Sequence, residues 1–292
     1  MKIALTGASG FLGRALAPRL IAAGHSVEPV NLRESAALPP VDAVVHLAGE
    51  PVAQRWTAPA KRRILESRAQ GTRELVESMA RLSPRPATLI SASAIGIYGS
   101  PGDRILTEDS PPGSGFLADV CVVWERTAGV ANALGIRVVN LRTGIVLGDG
   151  GTLARMLPAF RWGAGGRLGS GRQWVSWIHI DDWAALVEFA LRVKRLHGPL
   201  NATAPNPVRN AAFTRTLASN LHRPAFATLP ACVLKLLFGE MAGVLLSSQR
   251  VLPKAAQAAG FQFRYPDLGP ALDHLLGRGG SSAQPPSLLH CI

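Results

Sequence analysis

The sequence predicts an α/β fold built on a doubly wound parallel sheet, with a small mixed region at its C-terminal end. Three observations carry this. Apolar runs of strand length alternate with stretches that repeat apolar residues at helical spacing through the first half of the chain. The run at 43–47 (AVVHL) is continuous, as expected of a strand covered on both faces in a parallel sheet. A glycine-rich turn, Gly7-Ala-Ser-Gly10-Phe-Leu-Gly13, falls directly between the first strand and the first helix.

In chain order, 3–5 is the first strand. Phe11, Leu12, Ala15, Leu16 and Leu20 place a helix over 11–23, with Gly24 at its stop. Strands follow at 25–30 and 43–47. A long helix spans 59–82, with Ile64, Leu65, Leu75, Val76 and Met79 on one buried stripe. Residues 87–91 form the next strand, 115–134 a helix and 136–141 another buried strand. The second half is less regular. The glycine-rich stretch 163–171 reads as a loop, 174–178 as a short strand, and 181–191 as a helix capped by Asp181 or Asp182. Pro199, Pro205, Pro207 and Pro224 break the chain beyond that helix into short pieces. A helix spans 231–238, and 253–276 reads as helix, turn, short strand, helix. From Gly277 no apolar period remains, and the composition predicts a disordered tail. The organisation expected is a dinucleotide-binding domain over 1–229, with substrate-side elements in its last third, a small C-terminal domain over 230–276, and a tail over 277–292.

With 292 residues, 47 % of them hydrophobic, the chain can bury a substantial core. No segment approaches the roughly 18 uninterrupted apolar residues of a membrane span, so no membrane association is expected. The glycine turn comes too early for a signal peptide. Cys121, Cys232 and Cys291 form neither a metal-ligand spacing nor an even disulfide set. A reducing, cytoplasmic setting without a metal site is expected. The net charge of +12 rests mostly on scattered arginines. Its densest runs, Lys61-Arg62-Arg63 and 192–195, are not interleaved with aromatics, which suits attraction of a phosphate-bearing cofactor and argues against nucleic acid as a partner.

Glycines at 7, 10 and 13 let the backbone turn tightly and approach a pyrophosphate, which the N-terminus of the following helix then receives. Thr6, Gly7, Gly10, Phe11, Leu12 and Gly13 are the residues expected there. The second strand ends Val30-Asn31-Leu32-Arg33-Glu34. An acid at that end would bind the ribose 2′-hydroxyl of NAD, whereas a basic residue accommodates the 2′-phosphate of NADP. Asn31, Leu32 and Arg33 therefore favour NADP(H) over NAD(H). A shift of one residue, putting Glu34 at the ribose, would reverse the reading.

The segments TGASGFLG, AVVHLAGEP, SASAIGIYG, the Trp124-Glu125 pair, LRTGIVLGDGG, GSGRQWVSWIHIDD, GPLNATAPNPV and GFQFRYPDLGPAL occur in order through 1–276. On these the chain resembles the epimerase-like branch of the short-chain dehydrogenase/reductases, of the extended type. More narrowly it is similar to an atypical NAD(P)-binding epimerase-like subfamily that adds a small C-terminal domain of unknown function. The resemblance implies a Rossmann domain binding a nicotinamide dinucleotide and acting on a small molecule by hydride transfer. It implies that Leu47, Ala48 and Gly49, after His46, pack beside the adenine-side ribose and phosphates. Ser67-Arg68 lies where relatives carry an Asn. Arg68 then reaches a cofactor phosphate, or else lies on a solvated helix face. Residues 141–144 fall at the nicotinamide end, and 230–276 cover the substrate side.

Ordinary members of that superfamily move a proton with Tyr-x-x-x-Lys. No such motif occurs here: Tyr98 and Tyr265 are the only tyrosines, and neither is followed by Lys at that spacing. The matching helix offers Cys121 and Glu125. The position of the relatives' catalytic Ser or Thr falls on Ala94, next to Ser93. Ser93, Tyr98, Cys121 and His179 are candidate catalytic residues, with Asp119 and Glu125 nearby. Against each stands a structural role: a packed, hydrogen-bonded Tyr98, a buried Cys121, a structural His179. Trp56, Trp124, Trp174 and Trp177 either converge beside loop 163–171 and Arg161, Arg167 and Arg172, suiting a ring-bearing or anionic substrate, or belong to the core. An NADP(H)-binding sensor or scaffold that lost its chemistry is the alternative to an enzyme.

Overall fold

The strand–helix rhythm forms a single central sheet in the computed structural model, which describes residues 1–31 and 38–277. Leu32, Arg33, Glu34 and the tail from Arg278 onward lie outside the described residues. The sheet contains β1 (Lys2–Thr6), β2 (Ser26–Val30), β3 (Ala43–His46), β4 (Thr88–Ala94), β5 (Arg137–Thr143) and β6 (Gly198–Ala202). All six are parallel, in the order β2-β1-β3-β4-β5-β6. β2 and β3 lie on opposite sides of β1. Strand order therefore reverses between β1 and β3, and the crevice outside their carboxyl ends is where open α/β sheets take ligands.

Alternation along β1 shows why both faces are covered. Ile3 and Leu5 join Leu16 and Leu20 of α1 (Phe11–Ala22) and Leu186 and Val187 of a later helix on one face. Ala4, between them, packs on the other face with Leu75 and Met79 of α2 (Ala58–Ala80) and Ala128 of α3 (Phe116–Gly129). Every residue of β3 is buried, as the continuous apolar run requires. Thr57 caps α2 by accepting the Ala60 N–H. Leu65 is exposed rather than part of the α2 stripe. The helix expected to run to residue 134 ends at Gly129, and a 3-10 turn continues to Leu134.

Past the fifth strand the chain adds α4 (Gly151–Arg161), α5 (Ile180–Arg192), α6 (Asn210–Leu221), α7 (Ala231–Phe238), α8 (Ala242–Leu246), α9 (Lys254–Ala258) and α10 (Leu268–Leu275). The stretch expected to be only a loop contains a strand: Gly166–Leu168 pairs in parallel with Ala227–Leu229. Instead of one strand over 174–178 there are two. Trp174–Val175 pairs antiparallel with Val208–Arg209, and Trp177–His179 pairs with Ile145–Leu147. The expected strand before α10 is absent. The backbone N–H groups of Arg264 and Tyr265 go to the Asp182 carboxylate at 2.8 Å each, so no strand partner is needed. Asp182 is thereby a clamp on the C-terminal region. The cap of α5 is His179, whose Nδ1 accepts the Asp181 N–H at 3.0 Å. Leu268, Ala271 and Leu272 of α10 share a core with Trp177, Phe213 and Leu217. None of the described helices is long and apolar enough to cross a membrane.

Candidate functional site

At the first βα turn, each glycine has a distinct physical reason. Gly7 has φ +71°, and a Cβ there would come 2.9 Å from backbone atoms of Leu47 and Ala48. A Cβ on Gly13 would meet the Gly7 carbonyl oxygen and lie 2.6 Å from the Ala8 Cα. Gly13 thus lets α1 lean on its own turn. Gly10 is the N-cap of α1 and makes no side-chain cap, and no acidic residue occupies the first turn. The N–H groups of Phe11, Leu12 and Gly13 therefore end the helix without a side-chain acceptor, a ready receptor for an anion. The Phe11 ring lies against the loop before α4. A Cβ on Gly148 or Gly150 would fall 2.9 or 2.6 Å from ring atoms. This ties the glycine turn to the loop before α4. Asn31 follows β2 and is exposed.

The loop after β3 is fixed by a buried imidazole. His46 Nδ1 and Thr6 Oγ1 are 2.7 Å apart, and His46 Nε2 and Thr72 Oγ1 are 3.1 Å apart. Thr6 Oγ1 also accepts the Ala48 N–H at 3.3 Å. Thr6 is buried, so its hydroxyl holds Leu47–Gly49 in place. Burial first, and then the nearby Arg68 cation, push the His46 imidazole down to about 4.

Arg68, on α2, faces this loop. It is only 8 % exposed, which excludes a solvated helix face. Its Nη1 donates to the carbonyls of Glu50 at 3.0 Å and Ile64 at 3.1 Å. The guanidinium sits 4.8 Å from the Trp124 ring centroid and touches Gly49, where a Cβ would be 3.3 Å from Cζ. Among the described residues no carboxylate lies within ion-pair distance of Arg68; Glu50 pairs with Arg63 instead. Burial lowers the Arg68 pKa from its ordinary value. A buried cation short of a counter-charge beside an anion-receiving turn fits a dinucleotide phosphate.

Across the carboxyl ends of β4 and β5 runs a second network. Ser93 Oγ donates to Glu125 Oε1 at 2.7 Å. Arg142 grips the same carboxylate with Nε at 2.8 Å and Nη2 at 2.9 Å. Its Nη1 donates to the Tyr98 hydroxyl at 2.9 Å, and that hydroxyl donates to Asn201 Oδ1 at 2.7 Å. The Asn201 N–H is taken by Glu108 at 3.0 Å. Burial acts against the Arg142 charge, but the hydrogen bonds and charge of Glu125 reverse this and hold the guanidinium above its ordinary value. Burial raises the Tyr98 phenol against the opposing pull of Arg142. Tyr98 is therefore a buried phenol with both hydrogen-bonding roles filled, not an acidified one.

Cys121 lies one turn before Glu125 on α3, 3 % exposed, and burial pushes its thiol up to about 11. Asp119 is exposed. His179 is fully buried, stacks on Tyr265 with ring centroids 4.0 Å apart, and meets His274 of α10 at 3.1 Å. Its partners are Asp181, Tyr265 and His274, none of them in the Ser93–Glu125 network. Burial pushes its imidazole down to about 4. Each of the four tryptophans has its own partners. Trp177 is a core residue whose Nε1 donates to the Asn206 carbonyl. Trp56 donates to the Val52 carbonyl and meets Phe116 edge-on, Trp124 lies under Arg68, and Trp174 lies under Arg209 and Arg250. Asn201 and Glu108 are site residues that the sequence alone does not single out. Arg142 carries a signal for them: a charge inside the apolar strand VVNLRT requires buried partners from elsewhere in the chain.

The NAD dependent epimerase/dehydratase family matches residues 3–201, and a domain of unknown function, DUF1731, matches residues 229–275. The epimerase family protein YfhF of Bacillus subtilis is 40 % identical over 94 % of this chain and 98 % of its own length. The structure of human epimerase family protein SDR39U1 with NADPH superposes with a TM-score of 0.90 at 34 % identity, covering 95 % of this chain and 99 % of that one. Thermus thermophilus UDP-glucose 4-epimerase in complex with NAD, at 18 % identity and a TM-score of 0.76 over 96 % of this chain and 100 % of its own, shares the fold. The chain belongs to the NAD dependent epimerase/dehydratase family, in its epimerase-like branch with a C-terminal DUF1731 domain.

Proposed function

We propose that the protein is an NADP(H)-dependent oxidoreductase of the epimerase-like type, acting on a small molecule without a Tyr-x-x-x-Lys pair. The observation that carries this is the coincidence of a glycine turn shaped for backbone approach with buried Arg68, which has no carboxylate partner among the described residues. The turn residues Gly7–Gly13 receive the pyrophosphate, Leu47–Gly49 line the neighbouring wall, and Arg68 supplies the counter-charge. Preference for the 2′-phosphate rests on Arg33 in the sequence and is supported by NADPH in the human relative. When bound, the dinucleotide supplies the hydride donor or acceptor at its nicotinamide ring. In this reading Ser93 is the hydroxyl assigned to the chemistry, because among the described residues it alone shares the Glu125 carboxylate with Arg142: Glu125 takes its proton and Arg142 balances the carboxylate. Tyr98 positions Arg142 and does not exchange protons. A reducing compartment, the cytoplasm, suits Cys121 and Cys232, both free thiols.

Titration calorimetry with NADPH, NADP, NADH and NAD tests the cofactor reading. NADP(H) is expected to bind at least tenfold more tightly than NAD(H), and Arg68→Met to weaken all four. Equal affinity for both pairs removes the NADP assignment, and absence of binding removes the reading. A second reading, an NADP(H)-responsive binding protein without turnover, is favoured by one observation: Cys121 and Tyr98 are both shifted away from neutrality. A carbonyl and carbinol screen followed by nicotinamide absorbance separates the two. Turnover abolished in Ser93→Ala supports the enzyme; tight binding with no turnover supports the sensor.

A further inference from the structure

A short segment of the C-terminal domain, 249–252, reaches the end of β4 and the Ser93–Glu125 network. Gln249 is buried, and its Nε2 donates to the Ile95 carbonyl at 2.9 Å and to the Gly99 carbonyl at 2.7 Å. Ile95 is the first residue of the 3-10 turn Ile95–Tyr98, and Gly99 is its C-cap. One side-chain amide therefore staples the turn that carries Tyr98, with both of its N–H groups used. Gln249 is itself held in place. Its N–H goes to the Trp174 carbonyl at 3.3 Å, and its carbonyl takes the Ser176 hydroxyl at 2.7 Å. Ser176 Oγ also accepts the Val251 N–H at 2.9 Å, so one buried hydroxyl fixes the segment on both sides of Arg250.

From this segment three routes lead to Arg142. Val251 is fully buried and packs in one cluster with Ile95, Ile97, Tyr98 and Cys121. The Leu252 carbonyl accepts Asn201 Nδ2 at 3.0 Å, which turns Asn201 Oδ1 toward Tyr98. The phenol proton is thereby committed to Asn201, and the phenol oxygen is left to accept from Arg142 Nη1. The strand Arg250–Val251 pairs in parallel with Ile105–Leu106, and the Leu252 N–H goes to the Leu106 carbonyl at 2.9 Å. Two residues further on, the Glu108 carbonyl accepts Arg142 Nη1 at 3.3 Å. A buried guanidinium is costly unless its donors meet acceptors, so the placing of these partners decides how firmly Arg142 holds Glu125 and, through it, Ser93. Tyr98 and Arg142 lie within the part of the chain matched by the epimerase family, whereas Gln249 and Leu252 lie within the DUF1731 match.

We propose that Gln249 is a positioning residue for the Ser93–Glu125–Arg142 centre, stapling the Ile95–Tyr98 turn so that the Tyr98 hydroxyl stays on Arg142, and that the C-terminal domain thereby forms part of the site. Its catalytic meaning rests on the reading of that centre as the reacting one; the positioning itself is measured without cofactor or substrate. The test is solvent exchange of the Arg142 Nε–H, followed by NMR on the full chain and assigned by its loss in Arg142→Lys. Gln249→Met keeps the length of the side chain and removes both donors. It is expected to speed Arg142 exchange at least tenfold while the amide of Val44, fully buried on β3, keeps its wild-type rate. A loss of global stability alone speeds both together. Gln249→Asn keeps an amide but is one methylene shorter, so it reaches at most one of the two carbonyls. It is expected to fall between, which covers poor folding of the Met variant. Arg142 exchange unchanged in both variants, or accelerated only in step with Val44, overturns the assignment. With a substrate from the carbonyl and carbinol screen, Gln249→Met is expected to lower kcat at least tenfold; an unchanged kcat beside faster Arg142 exchange overturns the catalytic part. Failure of NADPH to bind the wild-type chain strikes the cofactor reading alone, and the exchange rates still decide this one.

Discussion

Replacing His46 with Gln separates a buried histidine's contribution to acid stability from everything else in the molecule. His46 is 1 % exposed and its imidazole is pushed from 6.5 down to about 4. A histidine with a depressed folded pKa stabilises the protein fully above its unfolded pKa. The contribution is lost as pH falls from about 6.5 toward 4, because the unfolded chain takes up a proton that the folded chain refuses. That depression corresponds to about 3 kcal/mol, lost at about 1.4 kcal/mol per pH unit across that window. At pH 7.5 the variant is expected to be less stable by about 1–2 kcal/mol, from imperfect replacement of the bonds to Thr6 and Thr72. At pH 4.5 the two proteins converge or the order inverts. Urea unfolding at pH 7.5, 6.5, 5.5 and 4.5 reads the difference. His179 carries a depression of the same size, but it acts equally in both proteins and cancels. A wild-type-minus-variant difference that stays constant from pH 7.5 to 4.5 refutes the reasoning.

Three further outcomes are expected of the site. Arg142→Met leaves the Glu125 carboxylate buried without its cation, and urea unfolding is expected to show a loss of about 3–5 kcal/mol, most of it recovered in the double variant with Glu125→Leu. Gly13→Ala drives a Cβ into the Gly7–Ala8 backbone, and calorimetry is expected to show NADPH affinity falling at least tenfold. Alkylation by iodoacetamide at pH 8, read by peptide mass, is expected to modify exposed Cys232 rapidly and to spare Cys121, whose thiol is buried and raised to about 11, until the chain is unfolded.

The parts legible in the sequence are those decided by local chemistry. Gly7 and Gly13 announce their turn because neither leaves room for a Cβ, through contacts within the first βα unit or with the loop beside it. The α7 boundaries, 231–238, are readable from one apolar stretch between Pro230 and Gly239. The illegible parts depend on partners far along the chain. Asp182 looks like a helix cap from its position before an apolar run, yet its carboxylate is claimed by backbone 82 and 83 residues away. The strand at 166–168 hides among glycines because its partner, 227–229, supplies the pairing that its own composition does not favour.

The Ser93–Glu125–Arg142 network is the deepest case of this. Cys121 and Glu125 are visible in the sequence as departures from a Tyr-x-x-x-Lys pattern, but their meaning depends on Arg142 on β5 and Ser93 on β4. A lysine at position 125 would place a positive charge beside a dinucleotide. Glu125 instead meets a positive charge arriving from the neighbouring strand, and the bidentate geometry leaves the pair neutral as a unit. The exchange of sign on α3 is thus answered by an arginine on β5, and Tyr98 and Asn201 complete the hydrogen bonding that a buried guanidinium requires. In place of a tyrosine and a lysine, Ser93 and Arg142 both meet the Glu125 carboxylate, and the Tyr98 hydroxyl joins Arg142 to Asn201, so these side chains from β4, α3, β5 and β6 form one connected hydrogen-bond network.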